Sequence, residues 1–182
     1  MNNNATVSSF PLAMESPDGK MTIITAELIK SAVDMSRKSP RGRIICPFHK
    51  SDNDNLHRML NVIQPYSYVQ PHRHSNPPKA ETVIVLKGSL AYIIFNEDGR
   101  IEDAIKLSNQ SDKIGIDTQP KTYHTFFALE QDTVLFEIKP GPYRKRSDKD
   151  LAEWAPKEST DNCKEYLESL YKHIDSRYNK GI

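Results

Sequence analysis

Short runs of alternating apolar and polar residues, parted by turn residues, make up most of this chain. Residues 57–64 alternate as a strand and are closed by Pro65-Tyr66-Ser67. Residues 81–86 and 89–95 predict two strands joined at Lys87-Gly88, and Asn96-Glu97-Asp98-Gly99 is a strong hairpin signal that returns the chain along 100–107. Further strands are expected at 43–46, at 114–116, from His124 through 125–129, and at 133–139. A short strand around Thr22-Ile23-Ile24 is also expected, within a loose polar arm. Helical spacing occurs near the two ends. Behind a Thr25 cap, Leu28, Ile29, Ala32, Val33 and Met35 predict a helix ended by Ser39-Pro40-Arg41-Gly42. Tyr166, Leu167, Leu170, Tyr171 and Ile174 predict a second helix after Thr160. Many short strands spaced by turns predict an antiparallel sandwich or small barrel. The expected organisation is an arm and helix over 1–40, a barrel over 41–143, and a charged loop and helix over 144–182, packed on the barrel.

One stretch interrupts the alternation with chemistry. In Tyr68-Val69-Gln70-Pro71-His72-Arg73-His74, an extended backbone sends His72 and His74 to the same side. Pro77-Pro78 turns the chain, and Glu81 opens the next strand, where its carboxylate can reach the two imidazoles. Pro120 delivers His124 at the start of another strand. Three imidazoles and a carboxylate suit a divalent first-row ion, and the same spacing also fits four unrelated surface and strand-end residues. Such a set would accept Fe, Mn, Ni, Co or Zn. It would leave coordination positions open, as catalytic sites do and structural zinc sites do not.

Composition narrows the rest. The 182 residues carry 25 Lys and Arg against 24 Asp and Glu, a net charge of +1, which argues against a protein built to bind nucleic acid or an anionic membrane. The run Arg144-Lys145-Arg146 is short and followed by acids, so it is expected to be a solvated loop. No apolar run approaches the roughly 20 residues of a membrane span. The first residues lack the basic start and apolar centre of a signal peptide, so the cytoplasm is the expected compartment. Cys46 and Cys163 form no metal-binding pair and are expected to be reduced thiols.

His72-x-His74, Glu81 and Gly88, with Pro120 and His124, resemble the two motifs of the cupins. Arg58-Met59-Leu60-Asn61, residues 67–74, Lys79-Ala80-Glu81, Gly141-Pro142-Tyr143 and residues 149–156 together resemble the WbuC family of cupin-fold metalloproteins, over roughly residues 40 to 158. That resemblance implies a mainly β fold, a small double-stranded β-helix (antiparallel jelly roll) with an N-terminal and a C-terminal helix. It also implies a divalent metal on His72, His74, Glu81 and His124, and a gene context of surface polysaccharide such as O-antigen. This sequence has Tyr66 and Lys121 where the motifs carry Gly, and Ala128 where the second closes with Asn, which implies altered loop geometry.

Other side chains are candidates beside the metal. Glu137 shares a strand face with Leu135; facing inward it would be a general base or would orient a ligand, and facing outward a rim carboxylate. Tyr68 and Tyr143 border Pro-containing turns and could donate a proton or bind hydroxyls, or be barrel-mouth tyrosines. Arg58 is a candidate for binding an anionic substrate, against a structural salt bridge. Arg73 points away from its His neighbours by alternation, and His49, His57 and His173 are expected to be non-ligands. The leading functional expectation is a metal-dependent isomerase or epimerase acting on a small sugar derivative. The alternatives are an Fe(II) and O₂-dependent dioxygenase, and a non-catalytic sugar-binding or regulatory module. A homodimer, assembled through barrel faces or the arm, is expected.

Overall fold

The computed structural model describes residues 10–145, 148–158 and 160–178. In chain order its elements are α1 (Ala26–Lys38), β1 (Arg43–Pro47), β2 (Leu56–Ile63), β3 (His72–Arg73), β4 (Glu81–Lys87), β5 (Ser89–Phe95), β6 (Ile101–Ser108), β7 (Gly115–Thr118), β8 (Tyr123–Ala128), β9 (Thr133–Pro140), β10 (Asp150–Leu151) and α2 (Asn162–Tyr178). Two five-stranded sheets face each other, ordered β1-β2-β9-β4-β7 and β10-β3-β8-β5-β6, and every pairing between these strands is antiparallel. The inner eight, β2-β9-β4-β7 against β3-β8-β5-β6, have the strand order of a jelly roll. The fold is therefore mainly β, a small double-stranded β-helix with a helix near each end.

Three apolar clusters follow from strand alternation. Inward residues of both sheets, among them Ile63, Val83, Val85, Leu90, Phe126 and Leu135, fill one part of the barrel. The outer face of the first sheet (Ile44, Leu60, Val62, Val134) is covered by Ala32 and Val33 of α1. Thr25 caps that helix, its Oγ1 accepting from Leu28 N–H. The outer face of the second sheet (Ala91, Ile93, Phe127) is covered by Leu167, Leu170 and Ile174 of α2. Cys46 is buried on β1 and Cys163 lies on α2; both are free thiols.

Four features differ from the sequence expectation. Thr22-Ile23-Ile24 forms no strand and Ile23 and Ile24 are exposed, because no neighbouring strand reaches them. The arm touches the sheet earlier, where Met14 N–H donates to Ile45 O at 2.8 Å. Within the expected charged loop, Asp150 and Leu151 pair with Arg73 and His72 and extend the second sheet. Arg144 and Lys145 are exposed, as a solvated loop requires, while Arg146 lies outside the described residues. Tyr66 and Lys121 have φ of 63° and 67°, so the left-handed turns of the glycine motifs persist on non-glycine residues. Each such residue costs on the order of 1–2 kcal/mol. Lys121 N–H donates to His74 O at 3.2 Å, so the strained turn is tied to a candidate ligand's own backbone.

Candidate metal centre

His72, His74, Glu81 and His124 are all buried, and one ligand atom from each lies within 4.8 Å of the others. Each arrives from a different local rule. His72 is directly opposite His124 across the β3–β8 pair, so both imidazoles fall on the inward face. Glu81 is the first residue of β4 and shares its inward face with Val83 and Val85.

The hydrogen bonds around the imidazoles fix what faces the centre. His72 Nδ1 is 2.9 Å from Gln70 O, His124 Nδ1 is 2.9 Å from Thr122 O, and His74 Nδ1 contacts Asp148 O. A carbonyl only accepts, so each Nδ1 carries the proton and each Nε2 keeps its lone pair. Those lone pairs meet the Glu81 carboxylate, with His74 Nε2 at 3.1 Å from Oε2 and His124 Nε2 at 3.7 Å from Oε1. Glu81 Oε1 and His124 Nε2 are buried without a hydrogen-bond partner. Buried acceptors facing acceptors are costly unless a cation sits among them. The donor set therefore fits a divalent ion, and this cluster could bind one. Burial, with the charge of Lys149, pushes the His72 imidazole well below its ordinary pKa, so it is neutral, the form that ligates. Burial opposes ionisation of Glu81, and the Lys139 ammonium, 3.9 Å from it, favours the carboxylate.

A charged shell surrounds the cluster. Glu137 points inward and is buried, not a rim carboxylate; its Oε2 accepts from Asn61 Nδ2 at 3.0 Å, and its Oε1 is 3.4 Å from Lys139 Nζ. Lys139 also lies 3.9 Å from Glu81 and 3.4 Å from Asp148. Burial works against its charge, and the three carboxylates more than reverse that. Lys79 Nζ donates to Asp148 Oδ1 and to Pro142 O, each at 2.7 Å. Asp148 is thus held by two lysines while its carbonyl orients His74. Beneath the cluster the Tyr92 ring stacks against His124, centroids 5.5 Å apart, and its hydroxyl pairs with Thr118 Oγ1 at 2.8 Å.

Two expected site residues lie elsewhere. Tyr68 packs in the cluster under α2, edge-on to Tyr166, and its hydroxyl donates to Pro156 O at 2.7 Å, so it has neither the direction nor the free proton for the centre. Arg58 shares the parity of Leu60 and Val62 on β2, the face toward α1, so it cannot meet a ligand inside the barrel. Tyr143 is part-exposed, in the loop between β9 and Asp148; burial first, then the Asp148 charge, raises its pKa. Arg73 points outward, donating to Asp150 and Glu97 and lying over the Tyr123 ring. His49 and His57 stack on each other and, like His173, stand outside the cluster. Sequence reasoning missed Asn61, Lys79, Tyr92, Lys139 and Asp148. Lys139 could have been found, since it shares the parity of Glu137; Lys79 and Asp148 meet only through a loop contact that carries no local signal.

The profile of a family described as a domain of unknown function, DUF6016, matches residues 24–107. That span holds His72, His74 and Glu81 and ends before His124 and Glu137. No curated protein matches the sequence. Among solved structures, the chain is similar to oxalate decarboxylase from Bacillus subtilis, at 18% identity and a TM-score of 0.42, over 54% of this chain and 24% of that one. It is similar to KdgF from Halomonas sp., at 17% identity and 0.42, over 57% of this chain and 82% of that one. It is also similar to the capsular polysaccharide assembling protein CapF from Staphylococcus aureus, at 17% identity and 0.46, over 60% and 29%. The matched region is about a quarter of the oxalate decarboxylase chain.

Proposed function

We propose that this protein is a metal-dependent enzyme acting on a small hydroxylated molecule. The observation that carries this reading is the set of three imidazoles, each tied through Nδ1 to a backbone carbonyl, that turn bare Nε2 atoms toward a buried carboxylate. His72, His74, Glu81 and His124 would hold the ion. A divalent ion bound there supplies Lewis acidity toward a hydroxyl-carbonyl pair. Glu137, held by Asn61 and Lys139, takes the proton from the hydroxyl-bearing carbon; its return to the former carbonyl carbon, as the hydroxyl proton passes to the carbonyl oxygen, isomerises the substrate, and its return through solvent to the opposite face of the same carbon epimerises it. That is isomerase or epimerase chemistry. Tyr143, part-exposed after β9 and within reach of the Asp148 and Lys139 charges, would touch the bound ligand. The resemblance to WbuC proteins supports a sugar derivative of surface polysaccharide as the substrate class.

Elemental mass spectrometry on protein purified without chelator tests the centre. Close to one equivalent of metal, lost in His72→Ala/His124→Ala, is expected; none in the unmodified protein would refute the reading. Proton exchange from a hydroxylated carbonyl compound into solvent, abolished in Glu137→Gln with metal content unchanged, is the expected sign of turnover.

A further inference from the structure

Lys149 is the cation of this site whose role nothing above explains. Lys79 and Lys139 are each within 3.4 Å of a buried carboxylate. Lys149 makes no hydrogen bond or ion pair among the described residues. Its position follows from register. Asp150 lies opposite Arg73 and Leu151 opposite His72. Cross-strand partners share a face, and residues two apart share a face. The Arg73–Asp150 ion pair, 2.8 Å, occupies the outward face. Leu151 and Lys149 therefore fall on the face of His72, which looks into the barrel.

Both residues are exposed even so, Leu151 at 47%. The Lys149 amine nonetheless responds to the barrel interior. Burial and then the Lys139 charge lower its pKa to about 8, against the opposite pull of Glu81 and Glu137. In turn Lys149 is the largest charge acting on His72. A side chain that is accessible to solvent and yet enclosed by the site's charges lines an open mouth. Leu151 forms the apolar lip beside it.

The charges give the ligand. Glu81, Glu137 and Asp148 are matched by Lys79, Lys139 and Lys149, so a divalent ion leaves the site net positive. One ammonium without a partner among the described residues balances one carboxylate charge.

We propose that Lys149 is a substrate-positioning residue that binds the carboxylate of a hydroxy-acid ligand at the mouth of the metal site, which makes the substrate class acidic. The proposal rests on the metal-enzyme reading above. The carbon skeleton of such a ligand would lie along Leu151, with its hydroxyl toward the ligand cluster.

The test is binding to cobalt-loaded protein, followed by the visible spectrum of the ion and by calorimetry. The probes are glycolate, its neutral counterpart glycolamide, and inorganic phosphate. Glycolate is expected to bind, and Lys149→Gln to weaken it by roughly ten- to a hundredfold while leaving glycolamide within about twofold. Lys149→Arg should restore much of the loss. Cobalt stoichiometry should be the same in all three proteins, which separates this outcome from failure of the metal centre itself. Equal losses for glycolate and glycolamide, no loss in Lys149→Gln, or no glycolate binding to the unmodified protein would overturn the proposal. Phosphate binding more tightly than glycolate, with the same dependence on Lys149, would overturn the carboxylate assignment.

Discussion

The two ends of the barrel interior are built from the same strands and the same inward positions, yet their chemistry is opposite. β4 begins inward with Glu81 and continues with Val83 and Val85; β8 begins with His124 and continues with Phe126 and Ala128. β9 runs the other way and passes from Leu135 to Glu137 and Lys139, while β2 passes from Asn61 to Ile63. Pleating decides only that these side chains face inward. Position along the strand decides whether they meet apolar neighbours or charges. At the apolar end burial is the driving force, about 25 cal/mol per Å² removed from water. At the polar end burial is a cost, offset only where charges and lone pairs are matched. Tyr92 stands at the boundary, its ring between His124 and Phe126 and its hydroxyl on Thr118. The stretch of interior that stays polar against that cost is where the candidate metal ligands and their charged partners meet.

The largest effect should come from the ligands. His72→Ala/His124→Ala should weaken metal binding by a thousandfold or more, beyond the roughly 10–100-fold typical of outer partners, by competition against a chelating dye. The metal-free fold should persist by circular dichroism, because the apolar end is untouched. Lys139→Met comes next. It leaves Glu81, Glu137 and Asp148 without a shared cation, and loss of about 3–5 kcal/mol is expected in urea unfolding. A neutral result there would mean that the polar end is held by solvent rather than by matched charge. Leu135→Ala, at the apolar end of the same strand, should cost about 3 kcal/mol and yet leave metal affinity unchanged. If Leu135→Ala released the metal, the two ends would not be separable.

How much of this was legible in the chain depends on the range of the signal. Alternation over residues 133–139 correctly put Leu135 and Glu137 on one face, and the His72-x-His74 spacing put two imidazoles on one side. Those are local rules of strand geometry. Arg58 is turned outward because it shares a face with Leu60 and Val62, and alternation along a strand does not say which face a distant helix will cover. Tyr68 failed for a different reason: it directly precedes the metal segment but lies under α2, which nothing in its own neighbourhood indicates. The same holds for β10 and for Lys149, whose placement depends on pairing with His72 and Arg73 some 77 residues away in sequence. Left-handed turns at Tyr66 and Lys121 were hidden because glycine, the usual sign of positive φ, is missing there.

The smallest expected effect sets the scale for charge outside the barrel. Asp132, in the turn before β9, accepts from Arg37 Nε at 2.9 Å and from Gln64 Nε2 at 3.0 Å, and so ties α1 to the first sheet. The Arg37 hydrogen bonds, with that of Gln64, hold its carboxyl below the usual range despite its burial. A carboxyl whose folded pKa is depressed adds stability that is present above its unfolded value, near 3.9, and is lost as pH falls through the folded value. Asp132→Asn keeps a side chain that tolerates the residue's φ of 58° and removes only the charge. It should cost on the order of 1 kcal/mol or less at pH 7. As pH falls from about 4 through the depressed folded value, thermal melts of variant and parent should converge, because the parent progressively loses the same charge. A gap as large as that for Lys139→Met would mean that a pair open to solvent on its Arg37 side counts as much as one enclosed on every side, and the contrast between the two environments would fall. Convergence at low pH assigns the loss to the ionised carboxylate, whereas a constant gap would assign it to the geometry of the turn.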